Sequence, residues 1–377
     1  MDLSSFDRDP MLLNVENGTV DLRTGTLRPH NRDDFLTKMA PVNYDPKAEC
    51  PTFQKFFREI LPDESVRNYL RAVLGYCVTG ATKEEVWLFL WGIGANGKST
   101  LLAVLRSMLG GYAVNTPADT FMQKSGDTIR NDLARLRGAR LVTSSEPQAR
   151  KFDPELVKAF VGRDPITARF LRQEFFEYEP VGKLLFAANQ RPQVSDNSLG
   201  FWRRVRMIPF TEDFRQCRDE NLREKLIAES PGILNWLVKA CLKWQVMGLN
   251  PPAAVSEAVN DYREATDILW EFLHTRSEMG PGLTIAVSAL YDNYLDFCDE
   301  KKTKHPLSRQ KFNEDLRGRD GIIQTKEGAA AHRVRVWKGI GLKCSGSTSC
   351  QCGNEEGCVR TGDRHTPDGC EHYAPLN

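Results

Sequence analysis

The sequence has no run of eighteen or more apolar residues, which argues against a membrane-spanning helix of ordinary length. Its start, MDLSSFDRDP, lacks the basic-then-apolar pattern of a secretory signal. The expectation is a soluble, cytoplasmic chain with no membrane partner. Charge of one sign is not in excess: 51 basic side chains stand against 50 acidic ones, a formal net charge of +1. A nucleic-acid partner cannot be argued from that balance and would need a local basic surface, because phosphate contacts are short-ranged and salt-screened. No internal repeat is visible, so a solenoid is not expected. The ten cysteines include no C-x-x-C pair, the commonest spacing of a zinc knuckle.

What is present is length and apolar content. A chain of 377 residues with 41% hydrophobic side chains can form two or three cored domains. Near the front, NGT, RTGT and short alternations such as MLLNV predict small hairpins. From Pro51 the spacing changes to three and four residues in FQKFFREIL and SVRNYLRAVLGYCV, which predicts two amphipathic helices. Val86 to Trp91 is unbroken apolar sequence, as in a strand buried on both faces of a parallel sheet, and a glycine-rich turn and helix follow at once. Ala139 to Ser144, Lys183 to Ala188 and Val205 to Phe210 are further strand candidates, with the helical DPELVKAFVG between two of them. The fold class expected is α/β, a P-loop core on a parallel sheet. Helical segments follow, including VSEAVNDYREATDILWEFLHT, and then a helix, helix, strand, strand order that fits a winged helix. The expected divisions are 1–80 (small α+β and helical), 81–215 (core), 216–278 (helical), 279–342 (winged-helix-like) and 343–377 (cysteine-rich tail).

Gly92-Ile93-Gly94-Ala95-Asn96-Gly97-Lys98-Ser99 matches G-x-x-x-x-G-K-[ST] at every fixed position, with Thr100 next in line. Glycines let successive backbone N–H groups turn inward onto phosphate oxygens, and the helix that follows adds its positive end. Lys98 is expected on the β- and γ-phosphates and the Ser99 hydroxyl on Mg²⁺, which predicts Mg-ATP as the ligand. Hydrolysis needs more: a carboxylate at a strand end, a polar group near the attacking water and often an arginine. The strand RLVTS ends at Ser145-Glu146, making Glu146 the acidic candidate, for Mg²⁺ as well as water. The strand KLLFAA ends at Asn189, and Arg203 and Arg204 precede the strand that runs to Phe210.

In this order the motifs resemble the superfamily 3 helicase portion of phage, plasmid and poxvirus-type primase-helicases, which are AAA+-related. The resemblance runs over roughly residues 10 to 275 and rests on NGTVDLRTG, YDPKAECPTFQKFF, GANGKST, LVTSSEP, GRDPITARFL, LLFAANQRP, FWRRVRMIPF and PGILNW. It implies an ATP-driven DNA helicase, a hexameric ring moving 3′ to 5′ in phage, prophage or plasmid replication, with single-stranded or forked DNA and a primase or polymerase as partners. It also implies that Arg204, or its neighbour Arg203, is a finger offered to the next subunit. A hairpin between the acid and the Asn lines the ring's pore in that family, so Arg169 and Arg172, in the alternating stretch Thr167 to Tyr178, and the nearby Lys158 are the DNA-binding candidates. Two departures stand out: Arg163 replaces a glycine usual in that motif, and Glu146 has no second acid beside it. No primase-like acidic constellation precedes the core, so primer synthesis is not expected. An ATP-switched initiator or loader that binds DNA without unwinding it is the competing reading. A small-molecule kinase fits less well, since the downstream Asn and Arg-Arg elements do not suit it.

Five cysteines crowd the last thirty-four residues. Cys350, Cys352, Cys358 and Cys370 form a candidate Zn²⁺ set, with Cys344, His365 and His372 nearby; free thiols are the alternative, and disulfides are disfavoured in a cytosolic setting.

Overall fold

The computed structural model describes residues 6–343 apart from 125–129, 146–151, 190, 192–193, 195–197, 218, 267, 304–305, 318, 320 and 329–332. The chain divides into two compact units: Met1–Asp196 with Gly200–Asn260, and Asp261–Asn377 with Asn197–Leu199. Among the described residues no helix is long and apolar enough to cross a membrane.

The first unit opens with an antiparallel meander of β1 (Leu12–Val15), β2 (Gly18–Asp21) and β3 (Thr26–Arg28), the hairpins expected from the turn residues. Helix α1 (Pro51–Ile60) begins with proline at its first position, and α2 (Glu64–Cys77) is capped by Asp63, whose carboxylate accepts from the Ser65 and Val66 amides. Such a cap contributes about 1 kcal/mol. Next come β4 (Trp87–Trp91), α3 (Lys98–Leu109), β5 (Ala113–Asn115), α4 (Asn131–Ala134) and β6 (Leu141–Ser145). They are followed by α5 (Pro154–Gly162), the short pair β7 (Ile166–Ala168) and β8 (Phe176–Tyr178), β9 (Lys183–Ala188), α6 (Leu199–Trp202) and β10 (Val205–Pro209). Helices α7 (Leu222–Ala228) and α8 (Ser230–Met247) complete this part of the unit, and α9 (Ala253–Thr266) carries the division between the two units.

Five strands form one parallel sheet in the order β10-β4-β9-β6-β5. Both faces are covered, which explains the unbroken apolar run of β4. Leu88 and Leu90 belong to the core shared with α1, α2, α3 and α8. Trp87 instead meets a layer of aromatic rings: Phe152 at 5.2 Å and Phe186 at 5.5 Å between centroids, with Phe121 and Phe160 close by. Edge strand β5 was not expected from the sequence, because three residues carry too little periodicity to register.

Two cations buried at the N-terminal edge of this sheet have no carboxylate hydrogen-bonded to them among the described residues. Arg140, just before β6, donates to the carbonyls of Val78 (2.8 Å) and Leu12 (2.6 Å) and lies 4.4 Å over the Tyr112 ring. Lys183, the first residue of β9, donates to the Thr79 carbonyl and to that of Val181, with the Tyr76 ring 4.6 Å away. Together they tie the first strand of the meander and the end of α2 to the sheet.

The second unit contains α10 (Ile268–Arg276), β11 (Ser277–Ala286), α11 (Val287–Glu300), α12 (Arg309–Arg317), β12 (Ile323–Glu327) and β13 (Val334–Leu342). Its antiparallel sheet has the order β11-β13-β12, the winged-helix arrangement, around a core that includes Phe272, Tyr294, Phe312 and Trp337. The stretch Val255 to Thr275, expected to be helical, is helical in its described residues, whereas β11 was missed. Gly280-Pro281-Gly282 sits where its pairing slips between Met279 and Thr284, and this bulge breaks the period-two signal.

Candidate functional site

The loop between β4 and α3 is shaped by close approaches. A Cβ on Gly92 would lie 2.0 Å from the Phe210 carbonyl oxygen. Gly97, at φ 85°, would place one 2.4 Å from Ile60 at the end of α1. Both positions exclude any larger residue. Ala95, at φ 52°, accepts a hydrogen bond from the Phe214 amide at 2.8 Å, so the loop is also held from the segment after β10.

Lys98 opens α3 and is 4% exposed. Its Nζ donates to Gly92 O at 2.8 Å, Asn96 Oδ1 at 2.9 Å and Asn189 Oδ1 at 3.3 Å. All three acceptors are neutral oxygens. Burial, which disfavours the charged form, pushes its amine down to about 8. Asn96, 2% exposed, is the second support: its Nδ2 donates to Phe210 O at 3.2 Å while its Oδ1 receives the lysine. Its role as a support for Lys98 is a contribution that the motif alone did not reveal. Ser99 is exposed and Thr100 partly so, at the start of α3.

Asn189 reaches the loop because β9 lies directly beside β4. Its Oδ1 also accepts from the Gly94 amide at 3.2 Å. The structure therefore brings together Gly92, Gly94, Ala95, Asn96, Gly97, Lys98 and Asn189. Glu146 lies outside the described residues; strand β6, which ends at Ser145 just before it, is the neighbour of β9 in the sheet.

Arg203 and Arg204 are not part of this cluster. They precede β10, which runs parallel to β4 with Val205 beside Trp87 and Pro209 beside Trp91. Four strand residues, about 13 Å, thus separate the arginines' edge from the loop's edge. Arg204 is held locally: it donates to Gly200 O at 2.7 Å and pairs with Glu85 at 3.1 Å. Arg203 is exposed and makes no side-chain hydrogen bond or ion pair with the described residues.

The pair β7 and β8 forms the hairpin expected around Arg172, with Ile166 opposite Tyr178. Arg172 is exposed at φ 61°, and the Arg169 guanidinium lies 4.4 Å over the Phe175 ring. The tip also exposes Leu171 (62%) and Phe175 (61%), an apolar element the charge-based expectation overlooked. Lys158, on α5, is paired with Glu155 at 2.6 Å. Helix α5 ends in left-handed backbone at Arg163, φ 69°, which is the conformation a glycine adopts freely and the reason the family pattern favours one there. The zinc candidates Cys350, Cys352, Cys358 and Cys370, with Cys344, His365 and His372, lie outside the described residues; Cys50, Cys77, Cys241 and Cys298 are buried free thiols and Cys217 is an exposed one.

A parallel sheet with a glycine-rich loop leading into a helix, and an Asn from the adjacent strand on that loop, defines a P-loop α/β core. Comparison with known proteins places it further. Residues 1–62 match the family described as "D5 N terminal like", and residues 90–204 match a "Family of unknown function (DUF5906)". The chain is 30% identical over 298 residues to a "Putative helicase" of Acanthamoeba polyphaga mimivirus, covering 72% of this chain and 31% of that protein. It is 24% identical over 392 residues to a "Putative helicase" of Frog virus 3 (isolate Goorha), covering 81% of this chain and 40% of that one. A "Putative primase" of African swine fever virus (isolate Tick/Malawi/Lil 20-1/1983) is 23% identical over 214 residues, 54% of this chain and 22% of that protein. The chain belongs with these viral helicase- and primase-named proteins, as its motif order implies, and spans less than half the length of each of the three. Among solved structures, the apo NrS-1 C terminal region is similar with a TM-score of 0.53 over 89% of this chain and 84% of that one, at 11% identity, a likeness of fold.

Proposed function

We propose that this chain is the ATP-hydrolysing motor of a superfamily 3-type DNA helicase, working as a ring, hexameric by resemblance, in replication. The observation that carries the reading is the placement of Lys98. Among the described residues this buried cation, at the head of a helix, is met only by neutral oxygens, and a nucleotide phosphate would supply the anion. The described residues fit Mg-ATP, with loop amides and Lys98 for the phosphates and Ser99 for the metal; Glu146 is assigned to the metal from its place in the sequence after β6. Mg²⁺ would neutralise charge on the phosphate oxygens. Asn189, already on the loop, is suited to orient a water near the γ-phosphate.

The distance between Arg203–Arg204 and the chain's own loop supports a finger acting in trans. Of the two, Arg203 is the better candidate, since Arg204 is occupied by Glu85 and Gly200. DNA contact is assigned to the hairpin tip, Arg169 and Arg172, with Leu171 and Phe175 as apolar companions. Lys158 is secondary because it is paired.

Mixing inactive Arg203→Ala protein with inactive Lys98→Ala protein tests the shared site. ATPase activity should reappear in mixed assemblies; intact mixed rings with no recovery would remove the trans assignment. Forked DNA tests the motor: ATP-dependent assembly on the fork with no strand displacement would favour the loader reading instead.

A further inference from the structure

Away from the P-loop, a cavity of about 300 Å³ opens between α2, α8 and the segment after α8. We propose that it docks an acidic peptide of a partner protein, with an apolar side chain of that peptide seated in the cavity. Its lining includes the apolar Tyr69, Trp244 and Met247 and the cations Arg71, Lys239 and Lys243. Lys239 and Lys243 are four residues apart on α8, hence on one side of the helix, and both are exposed. None of the three cations has a carboxylate partner among the described residues. Arg71 is held only against the Trp236 ring, 4.7 Å from its centroid, and its buried Nε has no hydrogen-bond partner. Helix α8 has no acidic residue along its eighteen positions. Glu84, close to Gly248 in the cavity lining, is committed elsewhere: it accepts from Trp244 Nε1 at 2.7 Å.

Charge complementarity therefore calls for carboxylates, and the cavity for something apolar between them. Its volume is at the low end for a small-molecule site and suits one or two side chains. Lysines on flexible stems grip carboxylates as point charges and need no fixed fork geometry. A nucleic-acid strand fits less well. Trp244 is 2% exposed, and Tyr76 and Lys83 already lie against its ring at 4.6 and 4.5 Å, so no open face is left for a base to stack on. Exposed Val246 (87%) and Met247 (58%) extend the apolar surface at the end of α8. This inference is independent of the motor reading, since it uses no residue of the nucleotide site.

The probe is a fluorescein-labelled ten-residue peptide with Asp residues flanking a Phe-Leu pair, titrated against the full chain at low salt and followed by anisotropy. Binding is expected for this peptide, and neither for its Lys-for-Asp counterpart nor for one with Ser-Ser replacing Phe-Leu. The double variant Lys239→Glu/Lys243→Glu should bind it about tenfold or more weakly, with ATPase unchanged, and salt should weaken the native complex. A milder variant, Met247→Ser, checks the apolar part without altering charge and should also lose affinity. Equal binding by native and double-variant protein overturns the proposal, as does no binding at millimolar peptide. So does displacement of the peptide by a poly-dT oligonucleotide, which would assign the surface to nucleic acid, and so does self-association that the double variant abolishes, which would assign it to a second copy.

Discussion

Two buried lysines sit at opposite edges of the same parallel sheet, and neither has a carboxylate partner among the described residues. Lys98, at the edge where β4 ends, touches Gly92, Asn96 and Asn189; Lys183, at the edge where β9 begins, touches Thr79 and Val181. Burial lowers both amines, to about 8 and about 7. The difference lies in what surrounds them. Exposed Ile93, Ala95 and Ser99 border Lys98, so an anion can still arrive. Lys183 is sealed beneath the Tyr76 ring, with the end of α2 as its acceptor. The same physics, a desolvated cation, leaves room for an anionic ligand where the chain is open and makes a cross-tie where it is closed.

The comparison can be broken most decisively at Lys98. Lys98→Ala should lower ATP hydrolysis by about 10²–10³-fold, the usual effect of removing one preorganised charge contact, while the melting temperature stays near that of the native protein. Activity close to native would mean that the two lysines are alike and both structural.

The second test is at Lys183. Its folded-state pKa is depressed, so between about 7 and the unfolded value of 10.5 the unfolded chain binds more protons. Stability should therefore rise as pH increases through that window, by up to about 5 kcal/mol if the whole shift is expressed. Below pH 7 the full cost of the buried charge is present. Lys183→Met should flatten this slope in urea unfolding at pH 7, 8 and 9; an unchanged slope would show that Lys183 is not the source.

Lys98 carries the opposite functional consequence. Phosphate binding needs its charged form, so ATP affinity should fall about tenfold between pH 7 and pH 9, as the free amine titrates near 8. Calorimetric titration at the two pH values in buffers of different ionisation enthalpy would also detect proton uptake on binding at pH 8. A flat profile would place the amine well above 9. The smallest effect is expected from Asn96→Ala, which removes one hydrogen bond to Lys98 and one to Phe210. The cost is about 1 kcal/mol, roughly fivefold in ATP affinity, measurable in the same titrations.

Much of the loop end of the sheet was legible because its signals are local. The loop's glycines, Lys98 and the buried strand before it occupy one continuous stretch, and Asn189 was placed by its position at the end of an apolar strand. The hairpin around Arg172 followed from alternation, but its exposed Leu171 and Phe175 did not, because nothing in a seven-residue loop says which apolar side chains turn outward. Arg140 and Lys183 were passed over for the opposite reason. A charge flanking a strand is ordinarily solvated, and only the arrival of Leu12, Val78 and Thr79 carbonyls from distant segments makes their burial tolerable. The cavity lined by Arg71, Lys239 and Lys243 joins residues nearly two hundred positions apart, so no window of sequence contains it.

By itself, then, the sequence determined the glycine-rich loop between β4 and α3, the parallel α/β core and the order of the motifs, all of which depend on short-range periodicity and backbone shape. The tertiary structure decided which charges are shared, which are sealed and which are free. Strand order put Asn189 onto Gly94 and Lys98, and parallel register carried Arg203 and Arg204 to the far edge. Desolvation and hydrogen bonding are properties of neighbours in space, and a chain acquires those neighbours only when it folds.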